Sequence, residues 1–90
     1  MFQIVAIKIA GTTPSLNTIT DYLFSGQNGE GSFWRSKAEG VAYVRQNPNN
    51  VYVAGGGKSS YVDVVDGTPP YLRTRADGTT SDNLLSLPIY

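Results

Sequence analysis

The segment Phe2–Ala10 constrains the fold more than any other, because isoleucine, valine and alanine occupy both faces of the β-strand that it would form. A strand with one buried face alternates apolar and polar residues, whereas a strand covered on both faces is apolar almost throughout. We therefore expect Phe2–Ala10 to be a central strand of a sheet or a strand at an interface between copies of the chain.

The small size of the chain makes self-association an expectation. It has 90 residues and no cysteine, so neither a disulfide nor a zinc–thiolate site can stabilise a small core. Seven basic and seven acidic side chains give a net charge of zero, and charged residues make up 16% of the sequence. This low surface charge favours contact between copies. We expect a homo-oligomer, either a dimer or a tetramer.

The clearest local signal is a helix start at Ser36-Lys37-Ala38-Glu39. A serine N-cap and a glutamate three residues later can each bond a free backbone N–H, which is the capping-box arrangement. The sequence predicts a helix over about Lys37 to Gln46, which ends at Asn47-Pro48. Four small residues are available for its buried stripe: Ala38, Val41, Ala42 and Val44.

Runs of β-branched and aromatic residues predict the strands. After Phe2–Ala10 these are Ile19–Ser25, Val51–Ala54, Ser60–Val65 and Tyr71–Arg75. The element order is then ββαβββ, with the first two strands antiparallel. The sequence predicts a single α+β domain over residues 1–90, in which one helix packs on an antiparallel sheet of about five strands. An extended C-terminal tail follows, attached to the core by Leu84, Leu85 and Leu87.

The absence of histidine and cysteine narrows the possible chemistry. Histidine is the commonest general base and metal ligand, so we expect a protein that is not an enzyme and holds no metal or cofactor. The balanced charge argues against duplex nucleic acid as a partner, since phosphate binding needs several basic residues on one face. No apolar run approaches the ~18 residues of a membrane span, so we expect no membrane contact and a cytoplasmic location.

The run Gly55-Gly56-Gly57-Lys58-Ser59 resembles a phosphate-binding loop in composition. A P-loop needs a glycine where Tyr52 stands, and it leads into a helix, whereas a strand is predicted after this run. We expect a flexible hairpin loop. The other possibility is a mobile lid over a ligand, to which Lys58 would contribute.

The strand Tyr71–Arg75 carries a tyrosine and two arginines at alternating positions. Successive side chains of a strand point to opposite faces, so Leu72 in the core would place Tyr71, Arg73 and Arg75 together on the other face. Such a set suits a phosphorylated ligand that contains a base, because the ring stacks and the guanidinium groups bind phosphate oxygens.

The same pattern also has a structural interpretation. In a hairpin centred on Thr68, Arg73 lies opposite Asp63 and Arg75 lies opposite Tyr61. These positions give a cross-strand ion pair and a cation–π contact, with no ligand required. Both interpretations remain open at this point.

Trp34 and the aspartates are further candidates. Trp34 stands just before the helix, where it either closes the edge of the core or stacks on a ligand from outside regular structure. A metal-dependent phosphodiesterase would use Asp63, Asp66 and Asp77, but nothing in the sequence fixes their geometry.

The C-terminal half resembles a bacterial and phage family of small proteins known as a domain of unknown function. The resemblance rests on Tyr71-Leu72-Arg73-Thr74, Ala76-Asp77-Gly78-Thr79, Asp82-Asn83-Leu84-Leu85 and Leu87-Pro88. The opening strand, the helix start and Tyr61-Val62-Asp63-Val64 occur in the expected order, so the resemblance covers nearly the whole chain. It implies a fold, and it adds Thr74 to Tyr71 and Arg73 as positions of interest.

In size, in its lack of catalytic residues and in expected oligomerisation, the chain is also similar to phage proteins called sponges. These proteins sequester the cyclic oligonucleotides by which bacterial cyclase-based immunity (CBASS) signals infection. We therefore expect a non-enzymatic anti-CBASS protein of the bacterial cytoplasm that binds a cyclic dinucleotide. The residues expected at its site are Tyr71, Arg73, Thr74, Arg75, Trp34 and Lys58. The alternative is a small protein-interaction or structural module without a nucleotide ligand.

Overall fold

The computed structural model describes residues 1–26, 29–55, 58–75 and 83–90, excepting the side chains of Lys58, Asn83 and Ser86. These residues form β1 (Phe2–Ile9), β2 (Ile19–Gly26), β3 (Ser32–Ser36), α1 (Lys37–Gln46), β4 (Val51–Gly55), β5 (Lys58–Val65) and β6 (Tyr71–Thr74). A short 3₁₀ helix lies at Asn83–Ser86. The strands and the helix predicted from the sequence are present, and β3 is an element that the sequence analysis does not predict.

The strands form one mixed sheet in the order β3-β2-β1-β4-β5-β6. Four neighbouring pairs are antiparallel, but β1 and β4 are parallel, with Phe2 opposite Val51 and Gln3 opposite Tyr52. The expected antiparallel sheet of about five strands is therefore wrong in strand number and in this pairing. The reason is β3: it runs in the direction of β1, α1 returns the chain, and β4 then runs in the direction of β1 again.

Helix α1 begins as the sequence predicts. Ser36 Oγ accepts the N–H of Glu39 at 3.3 Å, and Glu39 Oε1 accepts the N–H of Ser36 at 3.2 Å. These bonds satisfy donors that a helix start leaves free, and they place α1 directly after β3. Val41 and Val44 are buried whereas Ala38 and Ala42 are exposed, so the buried stripe is narrower than predicted.

One face of the sheet, here called the inner face, packs against α1 and holds the core. Its buried side chains include Ile4, Tyr22, Phe24, Val51, Val53, Val62 and Leu72. An aromatic cluster joins this face to α1, with Tyr43 of the helix edge-on to Phe2 and Phe24 at 5.6 and 5.9 Å between ring centres. The opposite face is called the outer face.

Tyr22 connects two distant strands of the sheet. Its side chain is fully buried, and its Oη accepts the N–H of Leu72 at 3.3 Å. In the strand order β2 is second and β6 is sixth, so a flat sheet would separate them by about 19 Å, at about 4.8 Å per strand. The sheet is therefore curled around its inner face until β6 meets the side chain of Tyr22.

Gly40 leaves the space that this arrangement needs. A Cβ atom at this position would lie 2.9 Å from Cδ2 of Tyr22 and 3.7 Å from Cδ1 of Leu72. Glycine lowers helix stability by about 1 kcal/mol relative to alanine, but here it lets α1 approach the tyrosine ring. The helix is consequently stabilised by its contact with the sheet more than by its own propensity.

The segment 83–90 returns to β1. Ile7 donates its N–H to the Pro88 carbonyl at 3.0 Å and accepts the N–H of Tyr90 at 2.9 Å. The leucines predicted to attach this segment do pack on the core: Leu84 is fully buried, and Leu85 and Leu87 are partly buried against it. β4 pairs with β1 only at Phe2 and Gln3. The segment 83–90 bonds to the same edge of β1 farther along the strand, at Ile7.

The hydroxyl of Tyr22 can be tested alone with Tyr22→Phe. We expect a loss of about 1–3 kcal/mol in the free energy of unfolding, because the buried N–H of Leu72 loses its acceptor. The control is Tyr43→Phe, since the Tyr43 hydroxyl accepts from Asn50 Nδ2 at 2.6 Å in a partly exposed position. Urea denaturation should show a clearly smaller loss for the control. Equal losses would contradict the role given to Tyr22.

Candidate ligand-binding site

The alternation predicted for β6 is present. Leu72 and Thr74 are buried, whereas Arg73 and Arg75 are exposed. Tyr71 lies two residues before Arg73 and four before Arg75, so its side chain points to the same face of the sheet, the outer face. The strand thus divides the residues that the sequence singled out, and Thr74 belongs to the buried side.

The predicted register between β5 and β6 is also present. Arg73 lies opposite Asp63, and the N–H of Arg75 donates to the carbonyl of Tyr61 at 2.7 Å. On the next strand Tyr52 lies opposite Tyr61. We call the surface formed by Tyr52, Tyr61, Asp63, Arg73 and Arg75 the β4–β6 outer face.

Arg75 is held by several contacts on this face. Its Nε and Nη2 donate to the two carboxylate oxygens of Asp63 at 3.0 and 2.8 Å, and Nη2 also donates to Asn49 Oδ1 at 2.8 Å. Its guanidinium carbon lies 5.5 Å from the centre of the Tyr61 ring. The ion pair therefore joins Asp63 to the diagonal arginine and not to Arg73, which stands directly opposite.

The ion pair sets the titration of both partners. Hydrogen bonds from Arg75 lower the pKa of Asp63, aided by the charges of Arg75 and Arg73 and opposed by partial burial. The same hydrogen bonds, with the negative charge of Asp63, raise the pKa of Arg75. The side chains of Arg75 and Asp63 are 48% and 38% exposed, so solvent screens much of this interaction.

Arg73 differs from Arg75 in having no hydrogen bond or ion pair with the described residues. It is exposed, and its charge acts on the carboxylate of Asp63 through space. A guanidinium group in this state keeps its donors available for a carboxylate or phosphate.

Two tyrosines lie on the same face of the sheet as the arginines. Tyr52 and Tyr61 are cross-strand neighbours, and Tyr61 is 39% exposed. With Met1 and Ser59 they line a shallow depression of ≈ 330 Å³. Neither tyrosine is predicted from the sequence as a stacking residue, although the alternation within the Val51–Val65 hairpin places both on one face.

The other predicted site residues are not among those that form this surface. The ring of Tyr71 is half-buried beside Gly67, and Thr74 faces the core. Lys58 begins β5, but its side chain and residues 56–57 of the predicted lid lie outside the described residues. The arrangement therefore brings Arg73 and Arg75 together and leaves Thr74 out of their surface.

Trp34 is placed differently from its prediction. It lies within β3, opposite Leu23, and not outside regular structure. Its ring contacts Lys8 Nζ at 4.7 Å and the Tyr90 ring at 5.7 Å. Since β3 and β6 are the two ends of the strand order, one chain does not unite Trp34 with the arginines.

The acidic residues and the helices give no further site within the described part of the chain. No group of three or more acidic side chains there is placed to hold a metal ion. Asp63 pairs with Arg75 and Asp66 pairs with Arg45, while Asp77 lies outside the described residues. In the same part of the chain no helix is long and apolar enough to cross a membrane.

A larger groove of ≈ 530 Å³ lies between α1 and the Pro69-Pro70 turn. Its lining is mainly apolar, and its two basic side chains already have partners. Lys37 Nζ donates to the Asn17 carbonyl at 2.8 Å, and Arg45 pairs with Asp66 at 2.7 Å. The β4–β6 outer face, which carries the unpaired guanidinium of Arg73 and two tyrosines, is therefore the stronger candidate.

The fold and the site define a small mixed-sheet α+β protein whose candidate ligand site is an open sheet surface. The chain belongs to the family described as protein of unknown function (DUF3892), whose model matches residues 3–88. The membership confirms the resemblance to a family of unknown function. Comparisons with curated proteins and with solved structures find no match.

The ion pair of Asp63 predicts a pH-dependent stability. Because the pKa of Asp63 is lowered by folding, its contribution is present above the ordinary aspartate value of about 3.9 and is lost as the pH falls through the lowered value. Urea denaturation should therefore show wild type more stable than Asp63→Asn at neutral pH, with the difference vanishing at strongly acid pH. Asp66→Asn, whose carboxylate is 85% exposed, is the control and should show a smaller difference. A difference that persists unchanged in acid would contradict this assignment.

Proposed function

We propose that the protein is a non-enzymatic nucleotide-binding protein and that the β4–β6 outer face is its ligand site. The observation that carries the proposal is Arg73, an exposed guanidinium without a partner among the described residues, on the same face of the sheet as Tyr61 and Tyr52. An aromatic ring can stack on a base, and a guanidinium group can bind the oxygens of a phosphate.

The tyrosine pair suits the base. Tyr52 and Tyr61 are cross-strand neighbours on strands about 4.8 Å apart, and both line the same shallow depression. Stacking of a base on an aromatic side chain contributes about 1–3 kcal/mol and needs no particular base. Nearby polar groups, such as the Ser59 side chain at the rim, would then select among bases.

Arg73 suits the phosphate. It lies opposite Asp63, two residues along β5 from Tyr61, so Arg73 and Tyr61 are diagonal neighbours at about 7–8 Å. This separation is comparable to that between the base and the phosphate of one nucleotide. Arg75, held by Asp63 against the Tyr61 ring, adds positive charge beside that ring.

The finer form of the proposal is a cyclic dinucleotide that the protein withholds intact, as a phage anti-CBASS sponge does. A cyclic dinucleotide carries two phosphates, whereas each chain offers one uncommitted guanidinium on this face. A second copy of the chain would supply the other. This stoichiometry is consistent with a self-associating protein and needs no catalytic group.

The second candidate is a protein-interaction module, and the ion pair between Asp63 and Arg75 favours it. Both groups are satisfied within the chain. The structural interpretation of the sequence expected an ion pair of Asp63 with Arg73, and Arg75 takes that place. In this role the outer face would bind another protein through its tyrosines, and nucleotides would not bind.

Titration calorimetry with cyclic dinucleotides, cyclic trinucleotides and linear mononucleotides tests the proposal. Arg73→Ala should weaken binding about tenfold to a hundredfold, because a hydrogen bond to a charged ligand group is lost. Its melting temperature without ligand should remain that of wild type, since Arg73 has no described partner. Arg35→Ala, which removes an exposed arginine of β3 at the other end of the strand order, is the matched control and should leave affinity unchanged.

Two further outcomes separate the candidates. Asp63→Asn removes a negative charge and releases Arg75, so it should strengthen nucleotide binding if the outer face is the site. Chromatography of the bound ligand after denaturation should return it uncleaved. If wild type binds no nucleotide in any of these assays, the proposal is wrong and the interaction module is retained.

A further inference from the structure

The two end strands of the sheet differ in their free backbone groups. The N–H of Arg75 donates to the carbonyl of Tyr61, so Arg75 and every second residue before it point their backbone groups toward β5. Leu72 lies between these positions, and its N–H points away from β5. That N–H donates to Tyr22 Oη, so a side chain from β2 covers the edge of β6 at Leu72. No such closure is found for β3 among the described residues.

The hydrogen-bond pattern of the β2–β3 hairpin shows which groups of β3 are free. The N–H of Gly26 donates to the Gly31 carbonyl at 2.8 Å, so these residues form a hydrogen-bonded pair. Such pairs alternate with non-bonded pairs in an antiparallel ladder. With the observed register, the backbone groups of Phe33 and Arg35 point toward β2.

The backbone groups of Ser32, Trp34 and Ser36 consequently point away from the sheet. Ser36 is not available, because its N–H donates to Glu39 in the capping box and it is the N-cap of α1. The N–H groups of Ser32 and Trp34 have no partner among the described residues. Two donors and two acceptors therefore stand in a row along the open edge.

We propose that β3 pairs antiparallel with β3 of a second copy, around a two-fold axis at Phe33. In this register Ser32 lies opposite Trp34 of the second copy, and their outward N–H and C=O groups form four hydrogen bonds across the axis. Centring the axis on Trp34 would require Ser36, whose N–H is already bonded. The capping box thus selects the register.

The side chains of the edge are compatible with this pairing. Phe33 meets Phe33 of the second copy, which extends the aromatic cluster that Phe33 forms with Phe2 and Phe24 at 5.4 and 5.9 Å. The charged residue of β3, Arg35, falls opposite Gly31 and meets no like charge. β3 has neither the lysine nor the proline by which edge strands commonly prevent pairing.

The second copy is a better occupant than an unrelated extended peptide because the edge is complementary to itself. Its donors match its own acceptors at the two-fold axis, and its small and large residues, serine and tryptophan, alternate across it. The interface lies at the opposite end of the strand order from Arg73, so this pairing does not bring the Arg73 side chains of two copies together. A copy that shares a ligand would have to meet the chain at the β4–β6 outer face, through a separate contact. Dimerisation through β3 and nucleotide binding can therefore be tested separately.

Light scattering on Ser32→Pro tests the edge. The wild type and Ser32→Ala should both give about twice the chain mass of 9.7 kDa at micromolar concentration. Proline removes an outward N–H that β2 does not use, so Ser32→Pro should fold and give the monomer mass. A monomeric wild type, or a Ser32→Pro protein that is folded and dimeric, would overturn the proposal.

Single cysteines test the register without relying on proline. The chain has no cysteine, so Phe33→Cys places one thiol per copy directly across the proposed axis, within disulfide distance in a non-bonded pair. It should form a dimer on mild oxidation. Ser32→Cys is the matched control and should remain uncrosslinked, because Ser32 faces Trp34 and not its own equivalent. Preferential crosslinking of Ser32→Cys would contradict the register, and no crosslinking of a folded Phe33→Cys protein would contradict the interface.

Discussion

The hydrogen bond from the Leu72 N–H to the Tyr22 hydroxyl determines how the sheet is closed. It joins β2 to β6 through the core, beneath the helix position that Gly40 leaves without a side chain. Because it requires a curled sheet, the inner face is enclosed between the strands and α1, and the outer face remains at the surface. It also gives an acceptor to the outward N–H of Leu72 on β6, whereas the outward N–H groups of Ser32 and Trp34 on β3 have no partner among the described residues.

Local patterns predict most of the fold. The capping box locates α1 from Lys37 to Gln46, and the β-branched runs locate five of the strands to within a few residues. The missed strand, Ser32–Ser36, is short and follows glycines, so its sequence does not separate it from a loop. If this strand is left out, the chain enters α1 from β2, and β4 is then expected to run antiparallel to β1. The observed parallel pair of β1 and β4 could therefore not be predicted. The bond between Tyr22 and Leu72 depends on residues 50 positions apart, which no local pattern reveals.

Local patterns also predict part of the candidate site. Counting from the turn at Thr68 gives the register of Arg73 with Asp63, and alternation places Arg73 and Arg75 on one face. Alternation also predicts the burial of Thr74, which only the family resemblance marks as a position of interest. Asp63 pairs with Arg75, which is diagonal to it, because of the twist of the strands and the side-chain rotamers, and residue spacing does not predict these. The position of Trp34 could not be predicted either, because it depends on the missed strand β3.

Native-state hydrogen exchange tests most directly the claim that the sheet is closed at β6 and open at β3. The amides of Leu72 and Trp34 both point away from the neighbouring strand, so an ordinary sheet would expose both at its edges. The account predicts that the Leu72 amide exchanges as slowly as the core at every protein concentration. It predicts that the Trp34 amide exchanges quickly in dilute protein and slows as the concentration rises. Fast exchange at Leu72, or slow exchange at Trp34 that is independent of concentration, would contradict it.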